Sequence, residues 1–194
     1  MFTLAEETGL VFELDRVCRK RAIINARGKK KGRKLFVNTL PNLIFDPDFE
    51  AGKFVKFLHA NNIPIHDTVF EITERNAIEQ FSQFKQAIRY YTDVGITMAI
   101  DDVGAGYSSL EVILELKPNY VKIDASLVRG AAENAGKREM IRAVHALAKS
   151  IKAETIAEGV ETREDLEEVA KLNVDYAQGY YIAKPGPPFP EVNI

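Results

Sequence analysis

Six short apolar runs recur along the 194 residues, each ending on polar side chains and alternating with stretches of helical spacing. The runs are "LFVNTL" (35–40), "TVFEIT" (68–73), "ITMAIDD" (96–102), "YVKID" (120–124), "AETIAEG" (153–159) and "YAQGYYI" (176–182). Around them, apolar residues return at intervals of three and four. Leu10, Val11, Leu14, Val17 and Cys18 make one such face, and Phe54, Val55, Phe57 and Leu58 a second. Ile78, Phe81, Ile88 and Tyr91 make a third, and Met140, Ile141, Val144, Leu147, Ala148 and Ile151 a fourth. "SSLEVILELK" reads as a short helix, another helix opens at Thr162, and Thr3 with Glu6 has the spacing of a capping box. Strands that are apolar almost throughout, alternating with amphipathic helices, specify a parallel sheet covered by helices. The choice narrows to an open doubly wound sheet or a barrel.

The strand ends favour the barrel. They carry Asn38, Glu71, Asp101 with Asp102, Lys122 with Asp124, Glu158 and Gln178. A barrel builds one site from the ends of several strands, whereas a doubly wound sheet concentrates its site at one switch point. The expected class is therefore α/β, a (β/α)8 TIM-type barrel. It is incomplete here, because six strands are recognisable where closure takes eight. The expected organisation is a single domain over residues 1–194, lacking its opening strands and its last helix.

Composition removes several classes of function. With 26 basic and 28 acidic residues, the net charge of −2 gives no field that would draw the chain to DNA or to a membrane. No apolar run approaches the ~20 residues of a membrane span. The single cysteine, Cys18, excludes an internal disulfide and a CxxC metal site, and a reducing, cytoplasmic setting fits it. Its place among the apolar residues of the first helix predicts a buried, inert thiol. The one basic run, "RGKKKGRK" (27–34), lacks interleaved aromatics and reads as a solvated helix-to-strand loop. His59, His66 and His145 lie away from the strand ends and read as surface or packing residues.

The strand ends together are a set of hard oxygen donors. Glu71, Asp101, Asp102 and Glu158 are carboxylates, Asn38 and Gln178 are neutral oxygens, and cysteine is absent, a set that selects Mg²⁺ or Mn²⁺ over zinc. Adjacent Asp101 and Asp102 repel each other unless cations sit between them. A bridging carboxylate holds two ions ~3.5–4 Å apart for in-line displacement at phosphorus. Lys122 amid this acid is placed to orient a water or a phosphate oxygen. Each residue also has a plainer reading: Asp101–Asp102 as a helix cap, Lys122–Asp124 as a private ion pair, Gln178 as turn chemistry before Gly179.

The motifs "LAEETGLVFELD", "FVNTL", "FEITE", "AIDDVGAGYSSL", "YVKID", "IAEGVET" and "QGYYIAKP" follow the order and spacing of the EAL domain. The chain closely resembles this bacterial family, which hydrolyses the second messenger cyclic di-GMP to linear pGpG. The resemblance implies a (β/α)8-type barrel, two Mg²⁺ or Mn²⁺ ions, cyclic di-GMP as ligand, a homodimer, and an upstream domain that is fused or regulatory. It implies Asn38, Glu71 and Asp101 as ligands of one metal, and Asp101 with Asp102 as ligands of the second. It makes Lys122 and Glu158 the residues that position and activate the attacking water, and gives Gln178 a place lining the substrate site. Glu74 corresponds to the glutamate anchoring the loop 103–109, which in the family links the metal site to the dimer interface, and Gly104 and Gly106 would let that loop turn. Two departures stand out. The family loop reads Asp-Asp-Phe-Gly-Thr-Gly, where this chain has Val103 and Ala105 in place of Phe and Thr. The Glu-Ala-Leu signature, whose glutamate is a family metal ligand, is absent, which leaves open a module that binds cyclic di-GMP or a protein partner without turnover.

Overall fold

The computed structural model describes residues 1–30, 32–40, 43, 46, 48–73, 81–106, 110–186 and 192. The chain forms two compact units: Met1–Ile72 with Gln80–Met98, and Thr73–Glu79 with Ala99–Ile194.

The first unit opens with helices α1 (Phe2–Glu7) and α2 (Val11–Asn25), followed by strand β1 (Leu35–Asn38) and helix α3 (Ala51–Ala60). A 3₁₀ turn at Ile65–Asp67 leads into β2 (Thr68–Thr73). Helix α4 (Phe81–Asp93) precedes β3 (Thr97–Val103), whose first two residues belong to this unit. Strands β1 and β2 are parallel and in register from Leu35 opposite Thr68 to Asn38 opposite Glu71. The core is aromatic. Tyr91 meets Phe70 edge-on with centroids 5.3 Å apart, Phe54 packs on Phe70 at 5.3 Å, and Phe49 stands 5.9 Å from Tyr91. These separations lie in the range that aromatic quadrupoles favour.

Two expectations for this unit are corrected. Helix α1 begins at Phe2 with Met1 as its N-cap and no side-chain cap, so Thr3 lies inside the helix and forms no capping box. Helix α2 buries Asp15, Arg19 and Ile23 instead of its most apolar face. An ion pair of 2.5 Å between Asp15 and Arg19, one helical turn apart, makes that burial tolerable. The opposite face, with Val17 and Cys18, is exposed, so the thiol is accessible. The basic run is the solvated loop expected of it, exposed at every described position except Lys29. Lys29 is buried against Asp67 at 2.8 Å, and Lys34 donates to the carbonyl of His66 at 2.8 Å.

The second unit contains the rest of β3, then α5 (Leu110–Leu116), β4 (Tyr120–Ile123), the short α6 (Ala125–Val128) and α7 (Ala135–Ser150). It continues through β5 (Glu154–Ala157), α8 (Arg163–Lys171) and β6 (Tyr176–Ala177). Strand β4 pairs with β3 and β5, and β5 with β6, all in parallel. Val121, Ile123, Ile141, Val144, Ile156 and Ala157 are buried, which is why these strands read as continuous apolar runs. Thr162 does cap α8, in a reciprocal capping box with Asp165.

The last strand is much shorter than the run 176–182 suggested. The chain turns after Ala177 because Gly179 is pressed onto the backbone of Val160. The Val160 N–H donates to the Gln178 carbonyl, and Tyr181 N–H donates back to the Val160 carbonyl, both at 3.0 Å. A Cβ at position 179 would lie 2.0 Å from the Val160 oxygen, so only glycine fits this approach.

Candidate functional site

The aspartate pair sits in a β-bulge. Ile100 pairs with Val121 and Val103 with Ile123, so Asp101 and Asp102 together stand opposite the single residue Lys122. Successive side chains of a regular strand point to opposite faces, and a bulge re-aims them. Asp102 adopts φ +58°, a left-handed conformation that aspartate enters more readily than most residues. Its N–H donates to Asp101 Oδ1 at 3.0 Å. Gly104, at φ +98°, continues the turn, and a Cβ there would meet Leu127 at 2.3 Å.

Lys122 comes from β4, and Glu158 follows β5. The Lys122 ammonium donates to Asp101 Oδ1 at 2.9 Å and to Glu158 Oε1 at 2.8 Å. The three side chains are 6%, 13% and 16% exposed, so water screens these pairs far less than surface pairs. Asp124 takes no part in a private pair with Lys122, since its carboxylate caps α6 by accepting from Ser126 N–H at 2.9 Å. One oxygen each from Asp101, Asp102 and Glu158 lies within 4.8 Å of the others.

Three carboxylates so close repel, and burial together with that repulsion raises two of them, Glu158 and Asp102. Burial pushes Glu158 up to about 7, against the hydrogen bond from Lys122, and the charge of Asp101 adds to the rise. Burial likewise raises Asp102, with further upward pressure from Asp101 and Asp124 that Lys122 only partly offsets. The donor set is all hard oxygen, with more negative charge than one lysine neutralises. Asp101, Asp102 and Glu158 thus fit a divalent oxygen-seeking cation.

The other expected residues are placed as follows. Asn38 and Glu71 end β1 and β2 as register partners, Asn38 exposed and Glu71 buried. Gln178 follows β6 and uses its backbone, its N–H donating to the Ala157 carbonyl at 2.8 Å. Its exposed side chain makes no hydrogen bond among the described residues. Gly106 has φ +115°. Glu74 lies outside the described residues, as do positions 107–109 of the loop. Among the described residues no histidine joins the acidic cluster, and His145 instead sits 2.9 Å from the hydroxyl of Thr155.

The EAL domain family model matches residues 1–185. The chain belongs to the EAL domain family. Among curated relatives, the cyclic di-GMP phosphodiesterase PdeF of Escherichia coli is 30% identical over 161 residues, which are 83% of this chain and 21% of PdeF. Among solved structures, Klebsiella pneumoniae BlrP1 in its manganese and cyclic di-GMP complex superposes with a TM-score of 0.84 at 27% identity. That match covers 90% of this chain and 45% of BlrP1. Bacillus subtilis YkuI, a protein with an EAL domain in complex with substrate cyclic di-GMP and calcium, gives a TM-score of 0.78 at 28% identity. It covers 93% of this chain and 45% of YkuI. This EAL chain thus spans about a fifth of PdeF and under half of either structure. Its fold class is α/β, of the EAL barrel type and incomplete, with six strands among the described residues. No helix among the described residues is long and apolar enough to cross a membrane.

Proposed function

We propose that this EAL domain is a metal-dependent phosphodiesterase that hydrolyses cyclic di-GMP to linear pGpG. The observation that carries the reading is the cluster of Asp101, Asp102 and Glu158 oxygens within 4.8 Å of one another, with Lys122 joining two of them. The manganese and calcium complexes of BlrP1 and YkuI with cyclic di-GMP support it.

Two ions, Mg²⁺ or Mn²⁺, are the expected cofactors, held by Asn38, Glu71, Asp101 and Asp102. A divalent cation, when bound, supplies charge compensation for the phosphodiester and acidifies the attacking water. Glu158 would accept the proton of that water as it attacks phosphorus, while the P–O bond to the ribose oxygen breaks and that oxygen leaves as a hydroxyl by taking a proton from solvent water. Lys122 holds Glu158 and Asp101 at a fixed separation and donates toward the attacking water or a phosphate oxygen. Gln178 contacts the substrate. Glu74, Gly104 and Gly106 belong to the loop that ties this site to an interface between two copies. The reading further includes a cytoplasmic homodimer regulated by an additional domain, and the greater length of the curated relatives supports that last element.

The test is incubation of the purified chain with cyclic di-GMP and Mn²⁺, with and without a chelator, following pGpG by chromatography. Chelator-sensitive product that Asp101→Asn and Glu158→Gln both abolish is expected. No product from a sample shown to be folded refutes the catalytic reading and leaves a module that binds without turnover.

A further inference from the structure

The basic run between α2 and β1 is built around one of its own cations. Six of the eight residues 27–34 are lysine or arginine. The Lys29 side chain is buried, donates to the carbonyls of Lys30 and Arg33, and pairs with Asp67 at 2.8 Å. A buried ammonium is tolerable only when it is fully partnered, so these bonds give the loop a fixed shape. Both ends of the loop are fastened to the segment between α3 and β2. Arg27 Nε donates to Asn61 Oδ1 at 2.5 Å, and Lys34 Nζ donates to the His66 carbonyl at 2.8 Å.

The remaining charge is unrelieved. Asp67 is engaged by Lys29 and lies 3.9 Å from Lys34. Arg27, Lys30 and Arg33 are exposed and meet no carboxylate among the described residues. The segment that holds the loop also borders a hollow of about 430 Å³, lined by His59, Asn62, Ile63, Pro64, Ile65 and His66. Pro64 and Ile65 are half-buried and therefore reachable from solvent, and His66 is exposed. A row of cations thus adjoins a partly apolar hollow. Both precede β1 and β2, at the opposite ends of those strands from Asn38 and Glu71.

We propose that loop and hollow together form a docking surface for an acidic peptide segment of a partner protein. One apolar side chain of the peptide rests against Pro64 and Ile65, and its carboxylates face Lys30, Arg33 and Lys34. Neither the loop nor the hollow offers a Phe, Tyr or Trp on which bases would stack. The chain as a whole carries a net charge of −2, so a duplex or a membrane, being extended, would also meet acidic surface elsewhere. A short peptide stays within the ~8 Å over which the loop's own charges act.

The test is fluorescence anisotropy of the whole chain with a labelled peptide of glutamates around a central leucine, at about 0.15 M ionic strength. Neither metal nor cyclic di-GMP is present, so the result is independent of the phosphodiesterase reading. Saturable binding is expected, weakened about tenfold or more by Lys30→Glu with Arg33→Glu. Exchanging the peptide's leucine for serine should weaken binding severalfold. Both substituted side chains are exposed, so that variant folds as the parent does. Arg142→Glu with Lys171→Glu, exposed positions on α7 and α8, makes the same change in net charge and should leave binding intact. No binding, equal weakening by the two pairs of substitutions, or indifference to the leucine overturns the proposal. So does tighter binding of phosphatidylserine vesicles or of duplex DNA than of the peptide, which would assign the loop to a lipid surface or to a nucleic acid.

Discussion

Replacing Lys122 by methionine tests the electrostatics of the acidic cluster directly, because the side-chain volume is nearly kept while the charge disappears. In the parent, the ammonium lies 2.9 Å from Asp101 and 2.8 Å from Glu158, and all three groups are largely buried. Two carboxylates within 4.8 Å of each other repel by at least about 3.5 kcal/mol at an effective dielectric of ~20. Removing one partner of a buried ion pair costs roughly 3–5 kcal/mol when the remaining charge cannot neutralise. Here it can, by binding a proton. The folded variant holds its carboxyl protons more tightly than the unfolded chain does, so its stability is greatest at low pH and falls as pH rises. The added deficit grows by up to about 1.4 kcal/mol per pH unit for each extra proton held. Urea unfolding followed by circular dichroism in chelator, at about pH 5.5 and about pH 8, measures the difference. Lys122→Met should be close to the parent at the lower pH and roughly 3 kcal/mol less stable at the higher. Added Mn²⁺ should then stabilise the variant more than the parent. A deficit of the same size at both pH values would refute the reasoning, since it would assign the loss to packing.

Glu158 gives the same physics in the parent sequence. Its carboxyl, lifted from an ordinary 4.5 to about 7, makes the metal-free chain lose stability as pH rises through that window. Glu158→Gln should remove a pH-dependent loss of about 1–2 kcal/mol, after allowance for solvent screening. Parallel stability–pH curves for the two proteins would contradict it. Gly179→Ala drives a Cβ into the Val160 backbone, which has no side-chain freedom to give way. It should cost ~2–4 kcal/mol, or about 5–10 °C in Tm, and an unchanged melting curve would show that the turn relaxes. Cys18 should react with a thiol-specific reagent in the native protein about as fast as in denaturant, whereas a thiol needing denaturant would mean that α2 buries its other face.

Periodicity located the strands and most helices because β2 and β4 are buried almost throughout, and continuous burial leaves a continuous apolar record. It failed on the face of α2, because Asp15 and Arg19 neutralise each other inside and free the apolar residues to remain outside. Counting apolar residues cannot detect an ion pair that buries itself. The strand ends were legible as polar breaks in apolar runs, but their pairing was not. Lys122 and Asp124 are two apart in sequence, and only the start of α6 at Ala125 takes Asp124 away as a cap. The bulge left no mark beyond the doubled aspartate itself. The ion pairs of Arg16 with Asp46 and Asp48 were illegible, because they join residues some 30 positions apart that no motif links.

The bulge in β3 also sets how easily this site can be lost. Strands β3 and β4 resume their pairing at Val103 and Ile123, immediately after the extra residue. Deleting one aspartate would therefore heal the ladder, leaving a regular strand with one acid opposite Lys122. A single in-frame codon deletion would leave half of the aspartate pair, freed of the left-handed residue that the pair requires. The sheet and the acidic pair are separable by one genetic event, and the sheet itself would favour the loss.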